Sequence, residues 1–155
     1  MDFNAWIEAV HKALPGFTLG GLPTEFTMLA LAIILGLLHL LIAARVGNNQ
    51  RGIAWNVGPR DQPAPPVSAV AGRLDRAYKN FMETFPFFVA AILAAHATNR
   101  FSDLTLIGSQ VYLIARVVYW PLYAFGVPVF RTLTWLVSVV GLLLVVAALF
   151  VGGGA

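Results

Sequence analysis

Residues 73–88 read RLDRAYKNFMETFPFF. Separations of three and four bracket the 3.6-residue turn, so on a helix Arg73, Arg76, Asn80 and Glu83 share one face. That face is charged and hydrogen-bonding, yet residues 85–97, FPFFVAAILAAHA, suit hydrocarbon. Arg or Glu at the lipid-facing centre of a span costs about 2.5–3.5 kcal/mol on insertion scales. The stripe is therefore expected to turn toward other helices or a wet cavity. A purely structural pattern also accounts for it, with the arginines snorkelling at the head-group level and Glu83 paired with an arginine of another span. Asp75 and Lys79, four apart on a different face, read as a surface ion pair.

The rest of the chain fits a membrane setting. Of its 155 residues, 59% are apolar and 11% charged, and the mean hydropathy is +0.77, too apolar for an ordinary soluble domain. The length allows one domain, 1–155. With no cysteine there is no disulfide framework, thiolate metal site or cysteine nucleophile. The formal charge of +3 comes from residues scattered over loops and helix ends, without the aromatic-interleaved basic patch of a nucleic-acid binder. The opening MDFNAWIEAVHKALPGFTLGG lacks a basic stretch followed by an apolar one, so it reads as an amphipathic lead-in and not as a cleaved signal peptide.

Four spans are expected, making an all-α four-transmembrane-helix bundle. Residues 26–46 are uncharged until Arg45 and match the roughly 20 residues that cross hydrocarbon. Residues 47–72 turn polar and rich in Gly and Pro, a loop with room for structure of its own. The second span, about 69–98, begins as a helix outside the bilayer, and Pro86 is expected to kink it or loosen one turn. Residues 103–127 and 129–153 form the third and fourth spans, joined by a tight turn at Gly126 and Pro128. Arg45, Arg51, Arg60, Arg73, Arg76, Lys79 and Arg131 lie on one side, against Lys12 and Arg100 on the other. By the positive-inside rule both termini face away from the cytoplasm.

Within the third span, VYLIARVVYWPLY at 111–123 spaces Arg116, Tyr119 and Tyr123 by three and four. A guanidinium and two phenols thus share a face. Tyr112 and Trp120 read as interfacial belt residues. Arg116 lies well inside an apolar helix and requires a partner, for which Glu83 is the obvious candidate. Arginines, an amide, a carboxylate and phenols together suit a small zwitterionic or polyanionic ligand, since Arg grips carboxylates bidentately and Glu accepts an ammonium. His39 and His96 stand singly in apolar segments and read as packed side chains, not metal ligands. No nucleophile elbow, phosphate-binding loop or zinc-protease motif is present.

Arg76, Ala77, Asn80, Glu83 and Pro86 together resemble the second-helix signature of the MAPEG family, the membrane-associated proteins in eicosanoid and glutathione metabolism. VYLIARVVYWPLY is similar to that family's third helix, and PVFRTLTW at 128–135 to the turn into its fourth. Thr84 stands where some members carry a tyrosine. The resemblance implies a homotrimer of four-helix protomers that binds glutathione between protomers near the cytoplasmic end. It further implies that Arg76, Asn80 and Glu83 hold the tripeptide, with Arg116, Tyr119 and Tyr123 beside them. Arg45 would reach in from a neighbouring protomer, and Arg131 would lie next to the sulfur. A thiol with an ordinary pKa of about 8.5 is mostly protonated at neutral pH, and a fixed cation favours its thiolate. The implied activity is conjugation of, or peroxide reduction on, lipophilic substrates arriving from the bilayer. Two other functions remain compatible with these residues: a non-catalytic lipid-binding or scaffold protein on the same fold, and a small transporter or channel subunit. The gathering of charge toward one membrane side speaks against the latter.

Overall fold

The computed structural model describes residues 15–151 together with Ala5, Ala9, Lys12 and Ala13. The expected lead-in at 1–21 therefore falls largely outside the described residues. The described chain is helical: α1 (Thr24–Arg51), a short α2 (Ile53–Val57), α3 (Ala69–Ala97), α4 (Asp103–Phe125) and α5 (Pro128–Val151). At 1.5 Å per residue the 28 residues of α1 extend about 42 Å, well beyond a hydrocarbon core of about 30 Å. Its last turns take up residues 47–51, which the polar sequence assigned to the loop. The returning chain explains this. Gln50 Nε2 donates to Ser68 Oγ at 3.0 Å and Ser68 N–H to Gln50 Oε1 at 2.7 Å, while Asn56 Nδ2 donates to the Asn48 carbonyl at 3.0 Å. Ser68 then caps α3 by accepting the Ala71 N–H at 3.3 Å, so one serine ties the loop to the start of the next helix. α3 continues through Pro86 to Ala97.

By length and composition α1, α3 and α5 can cross a membrane. They leave large apolar side chains uncovered, among them Leu41 at 63% and Leu143 at 58% exposure, a surface of the kind that a membrane covers. The chain is an integral membrane protein. α4 is not among these three; it carries Gln110, Arg116 and three tyrosines along an otherwise apolar helix. Those side chains are sheltered inside the protein: Tyr112, Arg116 and Tyr119 are all buried.

α4 and α5 pack along the most extensive of the helix interfaces. Gly108 and Gly141 set the separation, since a Cβ on Gly141 would stand 2.6 Å from the Tyr112 amide nitrogen. The turn between these helices uses Gly126 in the left-handed region, φ 77°, followed by Pro128 in the first turn of α5. Arg73 Nε donates to the Ala124 carbonyl at 2.8 Å, placing a cation on the carbonyl end of α4. At the opposite end Thr105 Oγ1 donates to the buried Glu25 carboxylate at 2.6 Å, and Arg100 Nη1 donates to the Leu149 carbonyl at 2.8 Å. The central core joins α1, α3, α4 and α5 through Leu35, Phe81, Phe88, Ile92, Tyr112 and Val145.

Candidate functional site

The polar stripe on α3 divides between two neighbouring helices, α4 and α1. Arg73 caps α4, as described. Arg76 is exposed and lines a groove against α1. Asn80 and Glu83 turn toward α4. The common face legible in the spacing is real, but its arc is wide enough for long side chains to leave it in different directions.

Asn80 is the junction. Its Oδ1 accepts from Arg116 Nη1 at 2.8 Å, and its Nδ2 donates to Glu83 Oε2 at 3.0 Å. Arg116 has no exposed surface; Nη2 donates to Thr84 Oγ1, and the guanidinium lies over the faces of Tyr112 and Tyr119. The partner expected for Arg116 was Glu83, whereas its direct bonds go to Asn80 and Thr84, with Glu83 one step further along. The physical reason is reach: Asn80 and Thr84 are four apart on α3 and face α4 directly, while Glu83 is exposed at the edge of that face. A carboxylate coupled through an amide keeps its outer side available.

Tyr112 also differs from expectation. It is fully buried, stacks on Phe88 at 4.1 Å, and shares a hydrogen bond of 3.1 Å with Thr84, so it belongs to the core and not to an interfacial belt. Trp120 stacks on His39 at 4.6 Å, with Phe81 on the same imidazole at 5.2 Å. His39 is therefore packed among rings. His96 lies against Phe26 and Phe101.

Asn80, Tyr119, Tyr123, Arg131, Thr132 and Trp135 line one cleft of about 210 Å³. Tyr119 and Tyr123 are 5.4 Å apart between ring centroids, and the Arg131 guanidinium lies 4.6 Å from the Tyr123 centroid. The Trp135 indole nitrogen is buried without a hydrogen-bond partner, a donor left open among the lining residues. Of the sequence-derived candidates, α3, α4 and the start of α5 thus bring together Asn80, Glu83, Arg116, Tyr119, Tyr123 and Arg131. Arg45, exposed on α1, and Arg76 lie apart from this cleft. Thr84, Thr132 and Trp135 were not expected. Helical spacing could have found two of them, since Thr84 is four residues after Asn80 and Trp135 four after Arg131.

The arrangement defines a helical membrane protein with a cation, an amide and phenols gathered where three helices meet. A family model described as the MAPEG family matches residues 28–151, and the chain belongs to that family. No individual curated protein matches it.

Proposed function

We propose that this protein is a membrane-bound glutathione-dependent transferase or peroxidase acting on lipophilic electrophiles. The observation behind this reading is the Arg131 guanidinium seated on Tyr123 in the same cleft as Asn80 and Tyr119. Glutathione supplies a thiolate that forms a C–S bond to an electrophilic carbon and expels a leaving group such as halide, the thiol proton passing to solvent. The chain's own residues suit such a tripeptide: Glu83 for the ammonium, the Asn80 amide and the open Trp135 indole for peptide groups, Arg131 for the sulfur. Resting on a ring instead of a carboxylate keeps the Arg131 cation available to stabilise negative charge. Arg116, enclosed by the protein, acts as a positioning residue that orients Asn80 and Thr84.

A cleft of about 210 Å³ is below the roughly 300–1,000 Å³ typical of small-molecule sites. A second protomer would supply the missing wall, and with it Arg45 or Arg76, so the reading includes a homotrimer. It also includes α4 as a fourth crossing, since at 23 residues it is long enough and its polar side chains point inward. The basic end, with the cleft, faces the cytoplasm.

The test separates binding from chemistry. Glutathione should raise the melting temperature in detergent with concentration. Glu83→Ala should weaken binding by about 1.5–3 kcal/mol. Arg131→Ala should leave the affinity for an S-alkyl analogue nearly unchanged, yet lower turnover with a halodinitrobenzene and raise the apparent thiol pKa in thiolate absorbance. Coincident titration curves with unchanged turnover would remove Arg131 from the chemistry. A bound tripeptide with no thiolate and no turnover would leave the non-catalytic lipid-binding or scaffold reading.

A further inference from the structure

A second depression lies between α1 and α3, a groove of about 230 Å³ lined at one end by Leu40, Ala43 and Ala44 and at the other by Asn48, Arg51 and Arg76. We propose that this groove binds a phospholipid with an anionic head group, its phosphate between Arg51 and Arg76 and an acyl chain running along Leu40 and Ala44 into the bilayer. The inference rests on Arg51, to which the glutathione reading assigns nothing; Arg76 is common to both readings, and competition by glutathione decides between them.

Dimensions favour a lipid. From Leu40 to Arg51 the helix rises about 16 Å, close to half of a 30 Å hydrocarbon core. The groove thus begins at the depth of acyl chains and ends at the depth of phosphates, on the side where the arginines gather. Leu37 and Leu41, 52% and 63% exposed, continue its apolar end along the outer face of α1.

The polar end is built from both walls. A Cβ on Gly47 would lie 3.8 Å from Arg51 Nη1, and one on Gly72 would lie 3.3 Å from Arg76 Nη1, so the two guanidiniums fold over side-chain-free positions on facing helices. Arg51 is further held 5.1 Å above the Trp55 ring, with Arg60 at 5.2 Å from the same ring, and its Nε is buried without a hydrogen-bond partner. Trp is favoured at the head-group level, where its ring sits in the interface. Asp75 also lines the groove, but its carboxylate is answered by Lys79 Nζ at 2.8 Å, so the two free-facing cations dominate the field. Arg offers phosphate a planar fork of donors. A soluble anion would use the arginines alone and leave the apolar half without purpose.

Native mass spectrometry of the delipidated full-length protein, equilibrated with equal amounts of phosphatidylglycerol and phosphatidylcholine of matched chains, tests this. The wild type should retain phosphatidylglycerol with a preference of about fivefold or more. Arg51→Glu should abolish the preference, and Arg51→Gln should reduce it. Ala44→Phe, at an exposed position that tolerates bulk, should lower retention of both lipids by obstructing the chain. Equal retention of both lipids by the wild type would overturn the proposal, as would wild-type behaviour in both Arg51→Glu and Ala44→Phe. Complete displacement by glycerol phosphate would make this a simple anion site, and displacement by glutathione would assign the groove to the tripeptide; either result overturns a lipid site.

Discussion

At the scale of single residues, Arg116 shows how this protein keeps a cation inside a membrane bundle. Among the described residues no carboxylate hydrogen-bonds to it; Asn80 and Thr84 accept its hydrogen bonds, two phenol rings present their faces, and Glu83 polarises the chain through Asn80. Removing one acceptor exposes the cost of a buried unpaired donor, roughly 1–3 kcal/mol. Thr84→Val keeps the volume but deletes the hydroxyl shared by Arg116 and Tyr112, so it should lower stability by about that amount in detergent melting experiments. Glutathione affinity should change little, because Thr84 faces the core and not the cleft. Tyr123→Leu should do the reverse. Losing an exposed cation–π contact costs about 0.5–1 kcal/mol, while Arg131 loses the surface that positions it, so turnover should drop more than stability. Equal losses in both would show that the ring is only packing.

At the scale of elements, the α4–α5 pair is governed by backbone contact. Gly141→Ala places a methyl 2.6 Å from the Tyr112 amide nitrogen and 2.8 Å from the Gly108 carbonyl oxygen. Neither backbone atom can swing away, so the helices must separate, with a cost of about 1–3 kcal/mol. Gly47→Ala is the counterpart. The nearest atom to its Cβ is the mobile end of Arg51, 3.8 Å away, and in mid-helix alanine is better than glycine by about 0.5–1 kcal/mol. Melting temperatures should therefore move in opposite directions, and a tolerated Gly141→Ala would mean that this interface is looser than its geometry. The Arg-rich end is organised by the same economy: Arg73 satisfies the α4 terminus, and Gln50 with Ser68 closes the loop.

At the scale of the molecule, the described basic residues gather at one end apart from Lys12, Arg100 and the enclosed Arg116, and the proposed orientation rests on that asymmetry. A reporter fused after Ala155 should be found on the non-cytoplasmic side, and one inserted near Pro65 on the cytoplasmic side. Reversed labelling would move the cleft to the other compartment. Crosslinking in mild detergent should reveal a trimer. A stable monomer with full glutathione affinity would show that the cleft is complete within one protomer.

The sequence by itself determined the membrane class, the α3 stripe and the α4 face, because hydrophobic length and spacings of three and four are properties of a helix taken alone. The same spacing carried Arg116, Tyr119 and Tyr123 into one cluster with Asn80 and Glu83, and it identified Asp75 and Lys79 as an ion pair. The direction in which each long side chain leaves its helix was decided only by the tertiary structure. Arg73 goes to a carbonyl at the end of α4 and Arg76 to the α1 groove, from positions one turn apart. Tyr112 looked interfacial by type, yet α3 supplies Phe88 and Thr84 to bury it. Residues 47–51 read as loop, yet Ser68 and Asn56 return to complete the last turns of α1. In each case the deciding partner is distant in the chain. A helical period reports which residues share a face, but the hydrogen bonds and rings that claim each of them come from whichever helix packs there.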